Sequence, residues 1–409
     1  MNDRAGVSEG ADAAAQAAVP RTMLVLALAA FASSASMRMT DALLPQLADT
    51  FATTTGAAAI VITAFSLAYG ALQVVYGPIG DRLGKLATIA AGTALAGMAT
   101  LAAGLSTSLE MLAVMRFVSG ATAAAIIPLS LAWIGDVVPY DQRQPTLARF
   151  LFSTISGSLF GQAAGGIVGD LADWRVIFLA VGAILLAGAL ALGAAIAAGR
   201  TPRHVAPPGP FTLRSLATGI FALLARPWVR VVAATVFTEG LLLNAALAFV
   251  GADLHHRFGL TLTASGLGLA LIGLGGFAYI VFARRLVGRL GEAGLARCGG
   301  LLAAASLAAF ALAPHWLAAL PGAFGAGLGF YMLHNTLQTN ATQMAPDARG
   351  SAVALFASTY FLGQAIGVAL MGAIVDRYGA PPPMLAAAAG VAVLAVGFAR
   401  RIDRRRAGP

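Results

Sequence analysis

The run Gly77–Lys85 joins two long apolar stretches of the chain. It reads Gly-Pro-Ile-Gly-Asp-Arg-Leu-Gly-Lys, and the apolar stretches on either side of it are 56–80 and 86–106. A helix of about 20 apolar residues is long enough to cross a bilayer. Glycine adopts the backbone conformations that a tight turn requires. The run therefore predicts a short polar turn between two membrane-crossing helices.

Apolar stretches of this kind recur along the whole chain. Of its 409 residues, 59% are hydrophobic and 11% are charged, whereas about 25% are charged in soluble domains. So little charge suits a lipid-facing surface and excludes a soluble enzyme. The sequence predicts an all-α membrane protein with twelve transmembrane helices. These predicted spans, numbered 1 to 12 in chain order, are 22–47, 56–80, 86–106, 109–135, 147–170, 176–199, 228–251, 262–283, 293–313, 316–340, 350–374 and 382–399.

Basic residues indicate how the spans are oriented. Of the 26 lysines and arginines, we place 21 in the loops, tails and span ends of one side and three in the loops of the other side, with Arg38 and Arg116 deeper inside spans. Cytoplasmic loops carry the excess of basic residues, so we expect both termini in the cytoplasm. The net charge of +9 is therefore a topology signal and does not indicate a nucleic-acid partner. Arginine outnumbers lysine 25 to 1, which is typical of a GC-rich bacterial genome and favours a multi-pass protein of the bacterial inner membrane.

A proline-rich break divides the chain into two halves of six spans. The predicted organisation is a cytoplasmic tail at 1–21, a first bundle at 22–199, a central cytoplasmic loop at 200–227, a second bundle at 228–399 and a basic cytoplasmic tail at 400–409. The halves are similar in sequence. Asp141–Arg143 matches Asp347–Arg349 at an offset of 206, and Gly161–Gly165 matches Gly363–Gly367 at an offset of 202. Some secondary transporters are built from two parallel repeats that are related by an axis along the membrane normal.

The turn at Gly77–Lys85 resembles the signature loop of the major facilitator superfamily, which carries Gly-x-x-x-Asp-Arg-x-Gly-Lys between spans 2 and 3. The resemblance implies the fold of that family, which is two pseudo-twofold-related six-helix bundles that work as a monomer. It also implies a gating loop that touches span 11. The gating residues are Gly77, Gly80, Asp81, Arg82, Gly84 and Lys85. We expect a charge contact between Asp81 and Arg82, and a solvated turn is the alternative. In the equivalent loop of the second half, Gly288 takes the place of the acid, which predicts an asymmetric gate.

Two further motifs resemble those of proton-coupled drug exporters in this family. Arg116 in span 4 is similar to an arginine that is linked there to proton coupling, and the alternative is a structural role, since a buried arginine needs a carbonyl or acid partner. Span 5 resembles the glycine-rich motif of the drug/proton antiporter branch, with Gln162 in place of a proline. Helix packing alone is the alternative reading. The glycines of this motif are Gly157, Gly161, Gly165 and Gly166.

Asp41 and Glu239 are the two acids that lie away from the ends of the predicted spans. Carboxylates within a membrane are candidates for proton transfer. Asp41 follows Arg38 by three residues, so one helical turn pairs them. The stretch resembles the acid-and-proline pattern of span 1 in efflux members of the family. A structural ion pair is the alternative. Glu239 has no basic residue within a turn. We expect an unpaired carboxyl that faces Asp41 across one cavity, with a hydrogen-bonded glutamate that packs two helices as the alternative.

Span 10 carries a stripe of polar residues. Tyr331, His334, Asn335 and Gln338 have the spacing of one helical face, which indicates a water-filled path or contact with the opposite bundle. His334 is a candidate proton relay, because imidazole exchanges its proton near neutral pH, and a structural histidine is the alternative. The substrate-cavity candidates are Gln73, Gln162, Asn244, Tyr331, Asn335, Gln338 and Gln364, with packing as the alternative for the glutamines.

The sequence predicts no cofactor and no metal. It contains no Gly-x-x-x-x-Gly-Lys-Ser/Thr loop and no Cys/His set with zinc spacing, and such motifs mark nucleotide and zinc sites. The sequence instead predicts a secondary transporter that exports a small organic compound by alternating access, coupled to protons. Its partners are then the substrate, protons and the lipid bilayer. The alternatives are a proton-coupled importer of a metabolite and, from another class, a membrane-embedded enzyme or a sensor.

Overall fold

The computed structural model describes residues 3–199 and 213–407, and within these ranges every element is helical. The longer helices are Asp3–Arg38, Ile60–Leu83, Lys85–Gly104, Leu109–Ala123, Ile126–Val137, Tyr140–Leu171, Arg175–Ala197, Leu213–Leu224, Pro227–Glu239, Val250–Phe258, Leu262–Ala311, Trp316–Gln343, Arg349–Tyr378 and Pro381–Ala407. The shorter helices are Leu44–Thr50, Thr55–Ala58, Gly240–Asn244, Ala245–Ala248 and Pro346–Ala348. The prediction of an all-α protein is confirmed.

One very long helix explains why the structure has 11 candidate crossing segments for twelve predicted spans. The described part of the chain holds 11 helical segments that are long and apolar enough to cross a membrane. One of them, Leu262–Ala311, has 50 residues, which is about 75 Å of helix and more than twice the ~30 Å hydrocarbon core. Gly291 interrupts it with φ 63° and ψ −175°. This helix therefore contains predicted spans 8 and 9, and all twelve predicted spans are accounted for.

Helices extend into three segments that are predicted to lie outside the membrane. The helix of span 1 begins at Asp3, inside the segment predicted as a tail at 1–21. Leu213–Leu224 is a helix within the predicted central loop, whereas residues 200–212 of that loop lie outside the described residues. The last helix runs through the arginine run to Ala407. Hydrophobicity marks the part of a helix that lipid covers, and backbone hydrogen bonds continue the helix past that part.

Spans 1, 4 and 7 are interrupted at mid-membrane. The first helix ends at Arg38, and a turn leads to the helix Leu44–Thr50. Span 4 is interrupted between Ala123 and Ile126, and span 7 changes from α-helix to π-helix over Gly240–Asn244. Irregular backbone at membrane depth is tolerated where it is buried in protein or lines a cavity. The breaks in spans 1 and 7 lie next to the predicted ionisable residues, so they position the candidate site.

Glycines allow spans 1 and 5 to pack backbone against backbone. A Cβ added at these glycines would overlap a backbone carbonyl oxygen of the facing span, so only glycine fits. The same contacts recur between spans 7 and 11. The pairs are Gly157 with Phe31 and Gly161 with Ala35 in the first half, and Gly363 with Phe237 and Gly367 with Leu241 in the second. The structural repeat thus has an offset of 206, and the offset of 202 predicted for the glycine runs was wrong by one helical turn.

The remaining glycines of the span 5 motif continue this packing. A Cβ at Gly165 would overlap the carbonyl oxygen of Met39 in span 1, and one at Gly166 would overlap that of Leu262 in span 8. Span 5 therefore packs closely on span 1 of its own half and on span 8 of the opposite half. The glycines of this motif thus allow close helix packing in this structure.

Candidate functional site

Spans 1 and 7 cross at the centre of the molecule. Arg38 Nη2 donates a hydrogen bond to Asn244 Oδ1 at 3.0 Å, and these residues are 206 positions apart. This separation equals the offset of the repeat. Residues related by a twofold axis contact each other only at the axis itself. The contact therefore marks the pseudo-twofold axis, and transporters built from repeats bind their substrates at the interface between the repeats.

Arg38 and Asp41 form the expected pair. Arg38 Nη1 lies 3.4 Å from Asp41 Oδ2, across the turn that ends the first helix. The Asp41 side chain is 1% exposed and the Arg38 side chain is 16% exposed. Asp41 Oδ1 has no hydrogen-bond partner among the described residues. Arg38 thus presents the accessible part of this pair, and the carboxylate lies behind it.

Glu239 is paired, contrary to the expectation that it stands alone. His334 Nδ1 lies 2.8 Å from Glu239 Oε2, so the two residues form a contact between spans 7 and 10. Glu239 is fully buried, whereas the His334 side chain is 18% exposed. Glu239 Oε1 has no hydrogen-bond partner among the described residues. Local spacing could not reveal this pair, because its members are 95 residues apart.

An aromatic path connects this pair to the first half. The ring of His334 lies 4.8 Å from that of Tyr360, which lies 5.0 Å from Phe361. Phe361 of span 11 lies 4.5 Å from Tyr69 of span 2, and this contact crosses between the bundles. Sequence reasoning missed these residues. The adjacent aromatics Tyr360 and Phe361 within span 11 were the available signal.

Arg116 is held by backbone groups. It is fully buried, and its Nη1 donates to the carbonyl oxygen of Ser36 at 2.9 Å. Its Nε donates to the carbonyl oxygen of Val61 at 3.4 Å, and its guanidinium lies 4.2 Å from the centre of the Phe65 ring. These carbonyl contacts lie beside the end of the first helix. Arg116 therefore caps a buried backbone carbonyl near the end of the first helix, and its role in proton coupling stays a prediction.

The polar stripe of span 10 has the accessible face that its spacing predicts. Tyr331, His334 and Asn335 are half-buried, and Gln338 is exposed. Asn335 Nδ2 donates to the carbonyl oxygen of Tyr331 at 3.0 Å. The stripe thus brings the histidine of the central pair onto a face that is only partly buried by protein.

The cavity glutamines are buried in other spans. Gln73, Gln162 and Gln364 are 7%, 6% and 1% exposed. The amide oxygens of Gln73 and Gln364 have no hydrogen-bond partner among the described residues. An unpaired buried acceptor is costly, so these two oxygens are available to a water molecule or a substrate group at the interface between the bundles.

The predicted gating loop makes its described ion pairs within the first half. Lys85 Nζ lies 3.2 Å from Asp81 Oδ1 and 2.7 Å from Asp136 Oδ2 at the end of span 4. Asp81 therefore pairs with Lys85, and the charge contact expected with Arg82 stays a prediction. Gly84 has φ 92°, a conformation that favours glycine. These ties run to span 4, and the contact with span 11 that the resemblance implies stays a prediction.

Asp170 links the two halves at the end that the basic loops predict to face outward; we call it the outer end. This residue lies at the end of span 5 and accepts hydrogen bonds from the backbone N–H groups of Leu262 and Thr263, at 2.9 and 2.6 Å. Those groups begin the helix of span 8, in the opposite half. A carboxylate at a helix N-terminus satisfies free N–H groups and is stabilised by the helix dipole.

Asp376 makes the equivalent link 206 residues later. It lies at the end of span 11 and accepts hydrogen bonds from Gly56 N at 2.7 Å and Thr54 Oγ1 at 2.6 Å. These groups begin span 2. Sequence reasoning missed both aspartates. The helix-starting threonines Thr54 and Thr261 were a local signal of the two helix starts, although not of the acids that reach them.

The opposite end, which the basic loops predict to face the cytoplasm, is organised differently. The described ion pairs there each join residues of a single half, for example Lys85 with Asp136, Arg297 with Asp403, and Arg406 with Glu292. The described contacts between the halves thus include the two aspartate caps and the central Arg38–Asn244 hydrogen bond.

Comparisons with known proteins agree with this architecture. A family model described as Major Facilitator Superfamily matches residues 26–368. The chain is 25% identical over 334 residues to YceJ, an MFS-type transporter of Bacillus subtilis. This alignment covers 81% of this chain and 83% of that protein. It is 28% identical over 355 residues to a chloramphenicol resistance protein of Streptomyces lividans, with coverage of 85% and 88%. The solved structure of a nucleoside transporter, NupG, aligns with a TM-score of 0.76 at 14% identity, over 92% of this chain and 98% of that one, which shows a shared fold.

Proposed function

The chain belongs to the major facilitator superfamily, and from this premise we propose that it exports a small organic compound from a bacterial cell in exchange for protons. The family and the transporter relatives show that the chain is a multi-pass membrane transporter and not an enzyme. Export and proton exchange go further and are our proposal. The relation to a chloramphenicol resistance protein supports export, since a transporter protects a cell by removing a compound from it.

The contact between Glu239 and His334 is the observation that carries the proton-exchange proposal. It places an acid and an imidazole 2.8 Å apart in the middle of the second bundle. Imidazole is the side chain that exchanges its proton near physiological pH. Ionisable groups at this depth are rare and are typical of proton relays.

The difference in exposure assigns a separate role to each member of this pair. Glu239 is fully buried and His334 is 18% exposed, so protons reach Glu239 through His334. When Glu239 and His334 together hold one exchangeable proton, the pair carries no net charge. Loss of that proton leaves a buried carboxylate with one unpartnered oxygen, which is costly. The deprotonated pair therefore favours a different arrangement of spans 7 and 10.

The outer contacts explain how such a change alternates access. Opening the outer end separates Asp170 from the start of span 8 and Asp376 from the start of span 2. The Arg38–Asn244 contact lies on the axis, so a rotation of the bundles moves it least. The site stays central while access to it changes from one side of the membrane to the other.

The proposal is tested in inside-out membrane vesicles that acidify their interior by respiration. Three probes are offered outside: fluorescein, chloramphenicol and rhodamine 123. We expect accumulation of at least one probe that depends on this protein and is lost when a protonophore is added. Glu239→Gln removes the accumulation, and Glu110→Gln, which changes an exposed acid at the outer start of span 4, keeps it.

Two results would contradict the proposal. One is the absence of protein-dependent accumulation for all three probes. The other is accumulation only in right-side-out vesicles under an inward proton gradient, which would establish an importer of the symport type.

A further inference from the structure

We infer that the compound carried by this transporter bears no positive charge and places a hydrogen-bond acceptor against the guanidinium of Arg38. The inference rests on the proposed function, because it describes the substrate of the same central site. Its candidate ligands are aromatic molecules with a carboxylate, nitro or carbonyl group.

The first support is the exposure of the central charges. The accessible members of the two pairs are Arg38, at 16%, and His334, at 18%. The acidic members are hidden, with Asp41 at 1% and Glu239 at 0%. A molecule that enters the centre therefore meets hydrogen-bond donors. A site for organic cations would instead present its carboxylates.

The second support is the balance of charge at this depth. Arg38 and Arg116 are positive, Asp41 is negative, and the Glu239–His334 pair is neutral when it holds one proton. The described mid-membrane groups thus sum to one positive charge. A cationic substrate about 10 Å from this charge is repelled by it. At an effective dielectric constant near 20, this repulsion weakens the binding of the cation on the order of tenfold.

The third support is the geometry around Arg38. Its separation from Asp41 is 3.4 Å, whereas a tight charge-assisted contact is about 2.7–2.9 Å. Asp41 therefore holds the guanidinium loosely, and a second acceptor can compete for it. The position of Arg38 on the pseudo-twofold axis keeps it central in every arrangement of the bundles.

Aromatic side chains provide the rest of the surface. Tyr331 and Tyr360 lie within electrostatic range of Arg38, and Tyr360 continues into the path through Phe361 to Tyr69. Aromatic rings pair with each other in offset or edge-to-face contacts. A flat aromatic compound can thus contact both bundles while its acceptor group meets Arg38.

The test uses two dyes with the same ring system and opposite charge. Fluorescein is an anion and rhodamine 123 is a cation, and both are built on a xanthene core. Binding to the purified, detergent-solubilised protein is measured by fluorescence anisotropy, with chloramphenicol as an uncharged competitor. We expect fluorescein to bind at least about tenfold more tightly than rhodamine 123 and to be displaced by chloramphenicol.

Variants at Arg38 locate the effect. Arg38→Gln is expected to weaken fluorescein binding about tenfold or more and to leave rhodamine 123 unchanged or slightly tighter. Arg38→Lys keeps the charge and is expected to keep the preference. The comparison of the two dyes in the unaltered protein needs no variant, so a folding defect in Arg38→Gln does not remove the test.

The outcomes separate this inference from the proposed function. Equal or tighter binding of rhodamine 123, or no binding of any probe, overturns the inference. Proton-driven export of rhodamine 123 alone in the vesicle experiment also overturns it, while the proposed function stands. Preferred binding of fluorescein without proton-driven accumulation of any probe overturns the proposed function and leaves the substrate class standing.

Discussion

The two ionisable pairs at the centre lie in spans related by the repeat, yet their chemistry differs. In the first half, Arg38 and Asp41 are three residues apart at 3.4 Å. In the second half, Glu239 and His334 come from different spans and lie 2.8 Å apart. Arginine remains protonated in proteins, whereas histidine exchanges its proton near neutral pH. Under the proposed function, the first half supplies a fixed charge and the second half an exchangeable proton.

The frame that holds these pairs is far more symmetric than the pairs themselves. The glycine contacts between spans 1 and 5 recur between spans 7 and 11. The cap that Asp170 makes recurs at Asp376. Backbone packing and helix capping are thus shared by both halves, while the ionisable side chains differ. This comparison predicts which paired variants behave alike and which do not.

The largest difference between the two halves is expected in the rate of proton-driven transport, which we compare for Glu239→Gln and Asp41→Asn. Glu239→Gln removes the buried acid of the exchangeable pair, and we expect the proton-driven rate to fall about a hundredfold or more. Substrate counterflow without a proton gradient persists, because binding at Arg38 is intact. The measurement is driven uptake and counterflow in the same proteoliposomes. If Glu239→Gln retained driven transport and Asp41→Asn lost it, the roles of the halves would be reversed.

Matched glycine variants test the symmetry of the frame. Gly157→Ala and Gly363→Ala each place a Cβ onto a facing carbonyl, and overpacking of this kind costs about 1–3 kcal/mol. We expect similar losses of thermal stability in detergent for both. Gly193→Ala in span 6, where a Cβ would meet nothing within 4 Å, is the control and is expected to be neutral or slightly stabilising. A loss in one half alone would show that the packing is not shared.

Asp41→Asn is expected to act on binding and to leave coupling intact. The change removes the negative charge beside Arg38 and frees the guanidinium. Because a hydrogen bond to a charged group is worth about 1.5–3 kcal/mol and the 3.4 Å contact is long, we expect fluorescein to bind about three- to tenfold more tightly. Anisotropy titration measures this, and Asp41→Glu serves as the charge-preserving control. Weaker fluorescein binding would contradict the prediction.

The smallest effects are expected from the two outer caps. Asp170→Asn and Asp376→Asn each weaken one helix cap, which is worth about 1 kcal/mol, or roughly a fivefold shift between closed and open states. A cysteine placed at Thr55 reports this shift through its labelling rate by a membrane-impermeant maleimide. We expect both variants to raise the rate, and the double variant to raise it further. No change in either would show that the caps do not hold the outer end closed.

Some features of the molecule were readable from neighbouring residues. The twelve spans follow from apolar length, and the pairing of Arg38 with Asp41 follows from their spacing of three. The polar face of span 10 follows from helical periodicity. Each of these depends on residues within one or two turns of each other, so it holds for any arrangement of the helices.

Other features depended on how the helices pack. The Glu239–His334 contact, the meeting of Arg38 with Asn244 on the axis, and the reach of Asp170 and Asp376 into the opposite half join residues that are 92 to 320 positions apart. Nothing in local spacing selects among the acids, histidines and helix starts that such contacts can combine. Close glycine packing sets the depth and rotation of each span, and only then do these side chains come within hydrogen-bonding distance.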